Sequence, residues 1–266
     1  MSLLAPLQHV LAGIVAGVHS SLTALGADPS SGTTWCLSIA AVVVVVRTLL
    51  LPVVVHGVRM AHASSRARPE LKALAERYRG RTDTESLRAM MEERRAVSAE
   101  HGVSRLGCLP VLLQVPIWIA LYHLLRDVAD GQAVGALDGE QVASLGRALV
   151  GGVHLTAHGY GGHGAGHLAV VLGLAGTAAV LSFVTQRYLV APNSSATDLP
   201  EAMASAQRVV PFLSAGGMLL AGAVVPVALL VYWACGAVWT AAQSAVVWRW
   251  FPTPGSPAAA RLSRAE

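Results

Sequence analysis

The chain contains five apolar stretches that reach or approach the roughly 20 residues needed to cross a hydrocarbon core about 30 Å thick. Hydrophobic residues make up 54% of its 266 residues and charged residues only 13%, against roughly 25% charged in soluble domains. Lipid is therefore the expected solvent for most of the chain. We predict an all-α membrane protein with five transmembrane helices, which cover residues 35–58, 106–125, 167–187, 208–224 and 226–248.

Residues 1–27 are fairly apolar, but the first basic residue of the chain is Arg47, so the positive n-region of a signal peptide is missing. Leucine, isoleucine and valine recur at helical spacing from Leu7 to Leu25, which is typical of an amphipathic helix. We expect this helix to lie in the extracytoplasmic membrane interface, and a sixth span is the alternative. A helix-breaking run separates it from the first span, namely Asp28-Pro29-Ser30-Ser31-Gly32.

The basic residues are concentrated in one connection, because residues 59–105 hold eleven of the nineteen lysines and arginines. Excess positive charge in the connections of a membrane protein stays on the cytoplasmic side. We therefore predict an N-terminus outside and a basic segment in the cytoplasm. The same count predicts a loop outside at 126–166, a cytoplasmic loop at 188–207 and a short cytoplasmic tail at 249–266.

The basic segment carries the start and stop signals of two helices. Pro69 suits the first turn of a helix, and Gly80 suits the position just after its end. Thr82 with Glu85 forms a capping box that opens a second helix, ending near Gly102. The segment is therefore predicted to be a helical hairpin. Its charge indicates either a solvated surface or a docking site for ribosomes, lipid headgroups or nascent chains.

The outer loop is rich in glycine, which implies flexibility, and four of its histidines fall within fourteen residues: His154, His158, His163 and His167. No carboxylate or cysteine lies among them, and ordering such a loop costs entropy, so we expect no metal site and no cofactor. The cysteines show neither CxxC nor zinc-type spacing and are interpreted as small core residues: Cys36, Cys108 and Cys235.

Arg47 lies near the middle of the first predicted span, about 18 Å from Trp35 and about 15 Å from the cytoplasmic end. A central arginine costs about 2.5–3.5 kcal/mol on insertion scales. No Asp or Glu occurs inside the five spans, so water or neutral acceptors must solvate it, and we predict a water-accessible groove with one uncompensated positive charge. A structural role, binding carbonyls opened by Pro52 or a lipid phosphate, is the alternative. Candidate polar partners on other helices are Gln114, Thr177, Ser182, Ser214 and Thr240.

Four features in order resemble the YidC family of membrane protein insertases, over roughly residues 3–251. The first is an apolar span with Arg47 followed by Leu49-Leu50-Leu51-Pro52, and the second is the basic hairpin. The third is the run Gly107-Cys108-Leu109-Pro110-Val111-Leu112-Leu113-Gln114-Val115-Pro116-Ile117-Trp118-Ile119-Ala120-Leu121-Tyr122. The fourth is Leu230-Val231-Tyr232-Trp233.

The resemblance implies a five-helix core around a hydrophilic groove that is open to the cytoplasm and to lipid but closed toward the outside. By position, Arg47 is similar to the family's groove arginine and Gln114 to a polar groove residue. Tyr232 or Trp233 is similar to the part of the wall that contacts the nascent chain. For these two aromatic residues, a place in an interfacial aromatic belt is the alternative.

The expected function is that of an insertase and chaperone without ATP or a catalytic residue, and so not of an enzyme. The expected partners are nascent membrane proteins, membrane lipids and, as further candidates, the ribosome and the Sec translocon, with no sequence-specific nucleic acid. Composition and the absence of a large outer domain favour the plasma membrane of a Gram-positive bacterium. The tail after Trp250 is shorter, and the 126–166 loop longer, than the family pattern.

Three other functions compete with this interpretation. A small-solute transporter could use a buried arginine for an anionic substrate, but it would predict inverted repeats, which the sequence does not show. A membrane enzyme would need a convergent set of catalytic groups at membrane depth. A structural assembly factor would have no reason to bear the insertion cost of Arg47.

Overall fold

The protein is described by a computed structural model over residues 4–103, 109–161, 164–194 and 201–262. Cys108, His163 and the first residues of the Gly107–Tyr122 run lie outside these ranges. Within them the chain is mostly helical, and three helical segments are long and apolar enough to cross a membrane, Gly32–Leu49, Gly164–Asn193 and Val227–Trp250. The chain is an all-α membrane protein.

Ten α-helices occur in the described part of the chain. They are α1 (Ala5–Ala24), α2 (Gly32–Leu49), α3 (Leu51–Arg77), α4 (Thr84–Glu100), α5 (Leu109–Ala129), α6 (Gly139–Arg147), α7 (Gly164–Val184), α8 (Glu201–Ala221), α9 (Val227–Trp250) and α10 (Pro257–Leu262). Two short antiparallel strands, β1 (Leu149–Val150) and β2 (Val153–His154), follow α6. A π-helical turn, Thr185–Val190, and a 3₁₀ turn, Ala191–Asn193, extend α7.

The first predicted span is divided between two helices, because α2 ends and α3 begins on either side of Leu50. Pro52 is in the first turn of α3. It has no N–H to donate to the carbonyl of Thr48, and its ring would clash with that carbonyl in a continuous helix. The break therefore has a local cause, and it lies one turn beyond Arg47.

The N-terminal helix α1 packs against α2 and α5 and buries one face, which includes Leu11, Ala12 and Val15. His19 on the same helix is 2% exposed, stacks on Trp35 with ring centroids 4.2 Å apart, and has Nε2 3.0 Å from the carbonyl oxygen of Pro29. The helix is therefore attached to the bundle along its middle, from Leu11 to His19.

The basic segment forms two packed antiparallel helices, but their bounds differ from the predicted ones. The prediction of a helix beginning at Pro69 is wrong, since α3 starts at Leu51 and runs through Pro69. The capping box at Thr82 is also wrong: Asp83 has extended backbone angles and its carboxylate accepts a 2.8 Å hydrogen bond from Ser86 N. Glu93 of α4 joins the helices by accepting hydrogen bonds from Arg77 and Tyr78, both at 2.8 Å.

The loop after α5 folds against the ends of other helices instead of forming an irregular chain. Leu145 and Leu155 are at most 1% exposed and belong to the hydrophobic core. The carbonyls of Leu155 and Ala157 accept 2.9 Å hydrogen bonds from the backbone N–H groups of Ala228 and Val227 at the start of α9. The loop therefore caps one end of the bundle.

The C-terminal segment is bonded to two distant parts of the chain. Ser65 of α3 donates a hydrogen bond to the carbonyl of Pro254, and Thr253 N donates one of 2.8 Å to Asn193 Oδ1. Arg261 in α10 stacks over Trp248, with its guanidinium carbon 3.3 Å from the ring centroid. The segment predicted as a short tail thus packs on the middle of α3 and the end of α9.

Candidate functional site

A cavity of about 600 Å³ lies among α2, α5, α7, α8 and α9 and the π-helical turn. All four residues singled out from the sequence line it: Arg47, Gln114, Tyr232 and Trp233. Of the other candidate partners for Arg47, three line the cavity: Ser182, Ser214 and Thr240. Thr177 does not, and its hydroxyl donates to the carbonyl of Gly173 on its own helix.

Arg47 is half-buried in the last turn of α2, where helix carbonyls without intrahelical partners favour a positive charge. No carboxylate of the described residues lines the cavity. The ion pairs of the described residues involve other side chains, in the hairpin and at the end of α5. The cavity therefore holds a positive charge that no carboxylate neutralises in the described part of the chain.

Three buried polar atoms of the cavity wall have no hydrogen-bond partner among the described residues. They are Thr185 Oγ1, Gln186 Oε1 and Trp233 Nε1. Leaving a buried polar group unsatisfied costs about 1–3 kcal/mol, so such groups in folded proteins normally meet water or a ligand. Together with Arg47, they make the cavity a site for polar or hydrated groups.

A short polar ladder connects two helices at this wall. Gln186 Nε2 donates to Ser182 Oγ at 3.1 Å, and Ser182 Oγ is 3.1 Å from Ser214 Oγ on α8. Because the hydroxyl groups of Ser182 and Ser214 bond to each other, the ladder is a fixed part of the wall and holds the amide of Gln186 in place.

The π-helical turn supplies three wall residues, Thr185, Gln186 and Val190. Such turns are rare and occur often at functional sites. The sequence interpretation did not select Thr185 or Gln186. The available signal was the polar Thr-Gln-Arg run at the end of an apolar stretch.

The two aromatic residues lie in the second turn of α9, which begins at Val227 after a Pro226 cap. Tyr232 is 7% exposed and Trp233 is half-buried. Their rings are on the cavity wall, inside the bundle. Residues 227–231 are buried as well, so the start of α9 is fixed on several sides.

The rim of the cavity is apolar and exposed. Val115 and Trp118 on α5 are 48% and 44% exposed, and Leu213 on α8 is 71% exposed. At the C-terminal end of α8, Tyr160 from the loop after α5 donates a hydrogen bond to the carbonyl of Leu219. The cavity thus combines a polar interior with an apolar side opening.

Residues 27–254 match the family described as 60Kd inner membrane protein. A membrane protein insertase YidC from Streptomyces avermitilis is 33% identical, over 88% of this chain and 55% of that protein. The insertase YidC of Tropheryma whipplei strain Twist is 28% identical, over 96% of this chain and 86% of that protein. That of Bifidobacterium longum is 26% identical, over 97% and 78%.

These names denote insertases and not enzymes, and the chain spans little more than half of the Streptomyces protein. With its apolar helices, the match places the chain among multi-pass proteins of bacterial membranes. The resemblance drawn from the four sequence features is confirmed. The chain belongs to the YidC family of membrane protein insertases.

Proposed function

We propose that this chain passes hydrophobic segments of nascent proteins into the bilayer through the cavity around Arg47. One observation carries the proposal: within the described part of the chain, an arginine without a carboxylate partner and three unpartnered buried polar atoms share a cavity whose rim is apolar and exposed. A polar interior suits the hydrated flank of a substrate, and an apolar rim suits its hydrophobic segment.

In this proposal, five transmembrane spans surround the cavity. Their helices are α2 with the start of α3, α5, α7, α8 and α9. The basic connection 59–105 is assigned to the cytoplasm by the positive-inside rule, with the N-terminus outside and the C-terminus inside. This orientation makes the loop that packs on the start of α9 an extracytoplasmic cap, and it directs the groove toward the cytoplasm and the lipid.

The mechanism requires no ATP and no catalytic residue. A hydrophobic segment that leaves the cavity past Trp118 and Leu213 gains the free energy of burying its side chains in lipid. Its short polar flank meanwhile stays hydrated beside Arg47, which lowers the barrier to crossing. An acidic flank is attracted to that charge, and the membrane potential adds about 2.3 kcal/mol per charge per 100 mV.

The hairpin is proposed to receive the substrate before it reaches the cavity. On α4, Leu87 and Met91 are 42% and 55% exposed, are four residues apart, and so share one face of a helix whose charged side chains are of both signs. An exposed apolar face on a hairpin that is basic as a whole suits an emerging hydrophobic segment, a ribosome surface or anionic headgroups. The ribosome and the Sec translocon are thus proposed partners, beside membrane lipids and nascent chains.

The test is complementation of an insertase-depleted bacterium, with insertion of a short single-span reporter as the readout. The chain should restore insertion, Arg47→Lys should retain more activity than Arg47→Ala, and Ala should lose at least about tenfold, which corresponds to about 1.4 kcal/mol. Arg147→Ala, a change at an exposed arginine outside the cavity, is the matched control and should have no effect.

Two results would contradict the proposal. Full activity of Arg47→Ala would make the buried charge dispensable for insertion. Failure of the intact, membrane-localised chain would favour a structural assembly role. A small-solute transporter would instead show Arg47-dependent uptake without any effect on the reporter.

A further inference from the structure

A second cavity, of about 540 Å³, lies between the start of α3 and the C-terminal half of α9. On α3, its wall consists of aliphatic side chains from Leu51 to Val58 that recur every three or four residues and so share one face. Across the cavity, α9 contributes side chains from Trp239 to Val247 at the same spacing. The cavity is therefore an apolar slot between two helices.

One end of the slot is cationic. Arg59 and His62 continue the same face of α3 beyond Val58 and line the cavity, and Phe251 lines it opposite them. His62 Nε2 lies 3.2 Å from the carbonyl oxygen of Phe251. Arg59 is exposed, and in the described part of the chain it forms no ion pair and no carboxylate lines the cavity.

The cationic end lies at the boundary between apolar and polar sequence. The apolar part of α3 stops at Val58, and Arg59 is about 18 Å along the chain from Arg47. Trp248 and Trp250 lie in the last turn of α9, just before Phe251 at the same end of the slot. Tryptophan is common where a helix reaches the headgroups. Arg59 is thus placed at the depth of lipid phosphates, while the slot runs into the hydrocarbon.

The slot differs from the cavity around Arg47 in its polar atoms. Its two mid-wall polar side chains are bonded to each other, because Trp239 Nε1 donates to Gln243 Oε1 at 3.1 Å. No unpartnered buried polar side-chain atom of the described residues lines it, whereas three line the cavity around Arg47. The slot walls therefore favour a hydrocarbon chain over water or a polar peptide.

We propose that the slot binds an anionic phospholipid, with an acyl chain between α3 and α9 and the phosphate at Arg59. A zwitterionic phospholipid offers the same acyl chain but no net charge. Attraction of one cation near the surface to an anionic lipid corresponds to about a fivefold preference. This site is separate from the cavity around Arg47 and does not depend on the function proposed for it.

The probes are phosphatidylglycerol and phosphatidylcholine with the same photoactivatable acyl chain, added to the purified full chain in lipid nanodiscs. Labelling should fall on residues 51–58 and 239–247, with about fivefold more labelling by phosphatidylglycerol. Arg59→Gln should remove that preference, and Ala242→Phe, which fills the slot, should lower labelling by both lipids. Arg147→Gln, at an exposed arginine remote in sequence from the slot, should change neither.

Equal labelling by the two lipids, an unchanged preference in Arg59→Gln, or labelling elsewhere would each overturn the proposal. So would displacement of the lipid by a hydrophobic substrate peptide, because the slot would then be a polypeptide site. Ala242→Leu replaces Ala242→Phe if the larger side chain alters gel-filtration elution or thermal unfolding. Insertion of the reporter, measured in parallel, separates failure here from failure of the Arg47 mechanism.

Discussion

The indole Nε1 of Trp35 donates a 3.1 Å hydrogen bond to Ser144 Oγ, 109 residues later in the chain. This bond joins the first turn of α2 to the helix α6. Trp35 is 1% exposed, and its Nε1 also lies 3.1 Å from the carbonyl oxygen of Pro29. The same carbonyl is within hydrogen-bond distance of His19 and Ser144. One backbone carbonyl thus connects α1, α2 and α6 at the capped end of the bundle.

Trp35→Phe should destabilise the protein by about 1–3 kcal/mol, because it removes the buried indole donor that bonds to Ser144 and Pro29 and puts a smaller ring in a fully packed site. The measurement is unfolding in detergent, monitored by far-UV circular dichroism because this signal does not depend on tryptophan fluorescence. Trp250→Phe is the matched control, since Trp250 is 65% exposed, and it should change stability little. Equal effects of the two substitutions would show that the Trp35 hydrogen bonds contribute nothing specific.

Gly32→Ala should also destabilise the capped end, by about 1–3 kcal/mol, the usual cost of overpacking. A Cβ at Gly32 would lie 1.8 Å from the carbonyl oxygen of Leu149, so the start of α2 or β1 must shift. Thermal unfolding in detergent measures the loss. Gly13→Ala in α1 is the control: its Cβ would meet nothing within 4 Å, and alanine there should be neutral or slightly stabilising. A wild-type unfolding curve for Gly32→Ala would contradict the close packing of α2 on β1.

Hydropathy predicts where the three long apolar helical segments lie, but it does not predict what each proline does. Pro52 coincides with a helix break, whereas Pro69 lies inside α3. On both sides of Pro69 the helix is held by packing, since Ala67 and Leu74 are at most 4% exposed, while the proline ring itself is exposed. Tertiary contacts, which a sequence pattern does not contain, therefore decide whether the helix continues.

The charged part of the site was easier to predict than its neutral part. Arg47 in an apolar run has an insertion cost that a polar cavity would offset, so one residue and its surroundings predicted such a cavity, and Arg47 does line one. Thr185 and Gln186 occupy a π-helical turn, where the side-chain directions no longer follow a period of 3.6 residues. A helical pattern extrapolated from α7 would therefore have assigned them the wrong direction.

Thr185→Val should lower insertion of a reporter with a polar flank by a few fold while leaving thermal stability unchanged or raising it by up to about 1 kcal/mol. The reason is that valine keeps the shape of threonine but removes a buried hydroxyl that has no partner among the described residues. The measurements are reporter insertion in cells and unfolding of the purified protein.

Thr177→Val is the matched control for this substitution. The Thr177 hydroxyl is exposed, bonds to its own helix and does not line the cavity, so insertion should be unaffected. A loss of stability in Thr185→Val, or an equal loss of insertion in both variants, would mean that the Thr185 hydroxyl is structural.

Acid should weaken the start of α4 through its capping residue. The hydrogen bonds from Ser86, the backbone N–H first, hold the pKa of the Asp83 carboxyl below its usual value. Because the pKa is lowered in the folded state, the stabilisation is complete above the ordinary pKa near 3.8 and is lost as the pH falls through the folded-state pKa. Hydrogen exchange of residues 84–88, corrected for the intrinsic rate, should accelerate over that range.

Asp83→Asn keeps a capping oxygen without the titration, so its exchange should be nearly independent of pH, whereas Asp83→Ala should exchange rapidly at every pH. If the wild-type protection instead persists well below the folded-state pKa, or if Asp83→Asn retains the acid dependence, the cap at Asp83 does not control the end of the hairpin.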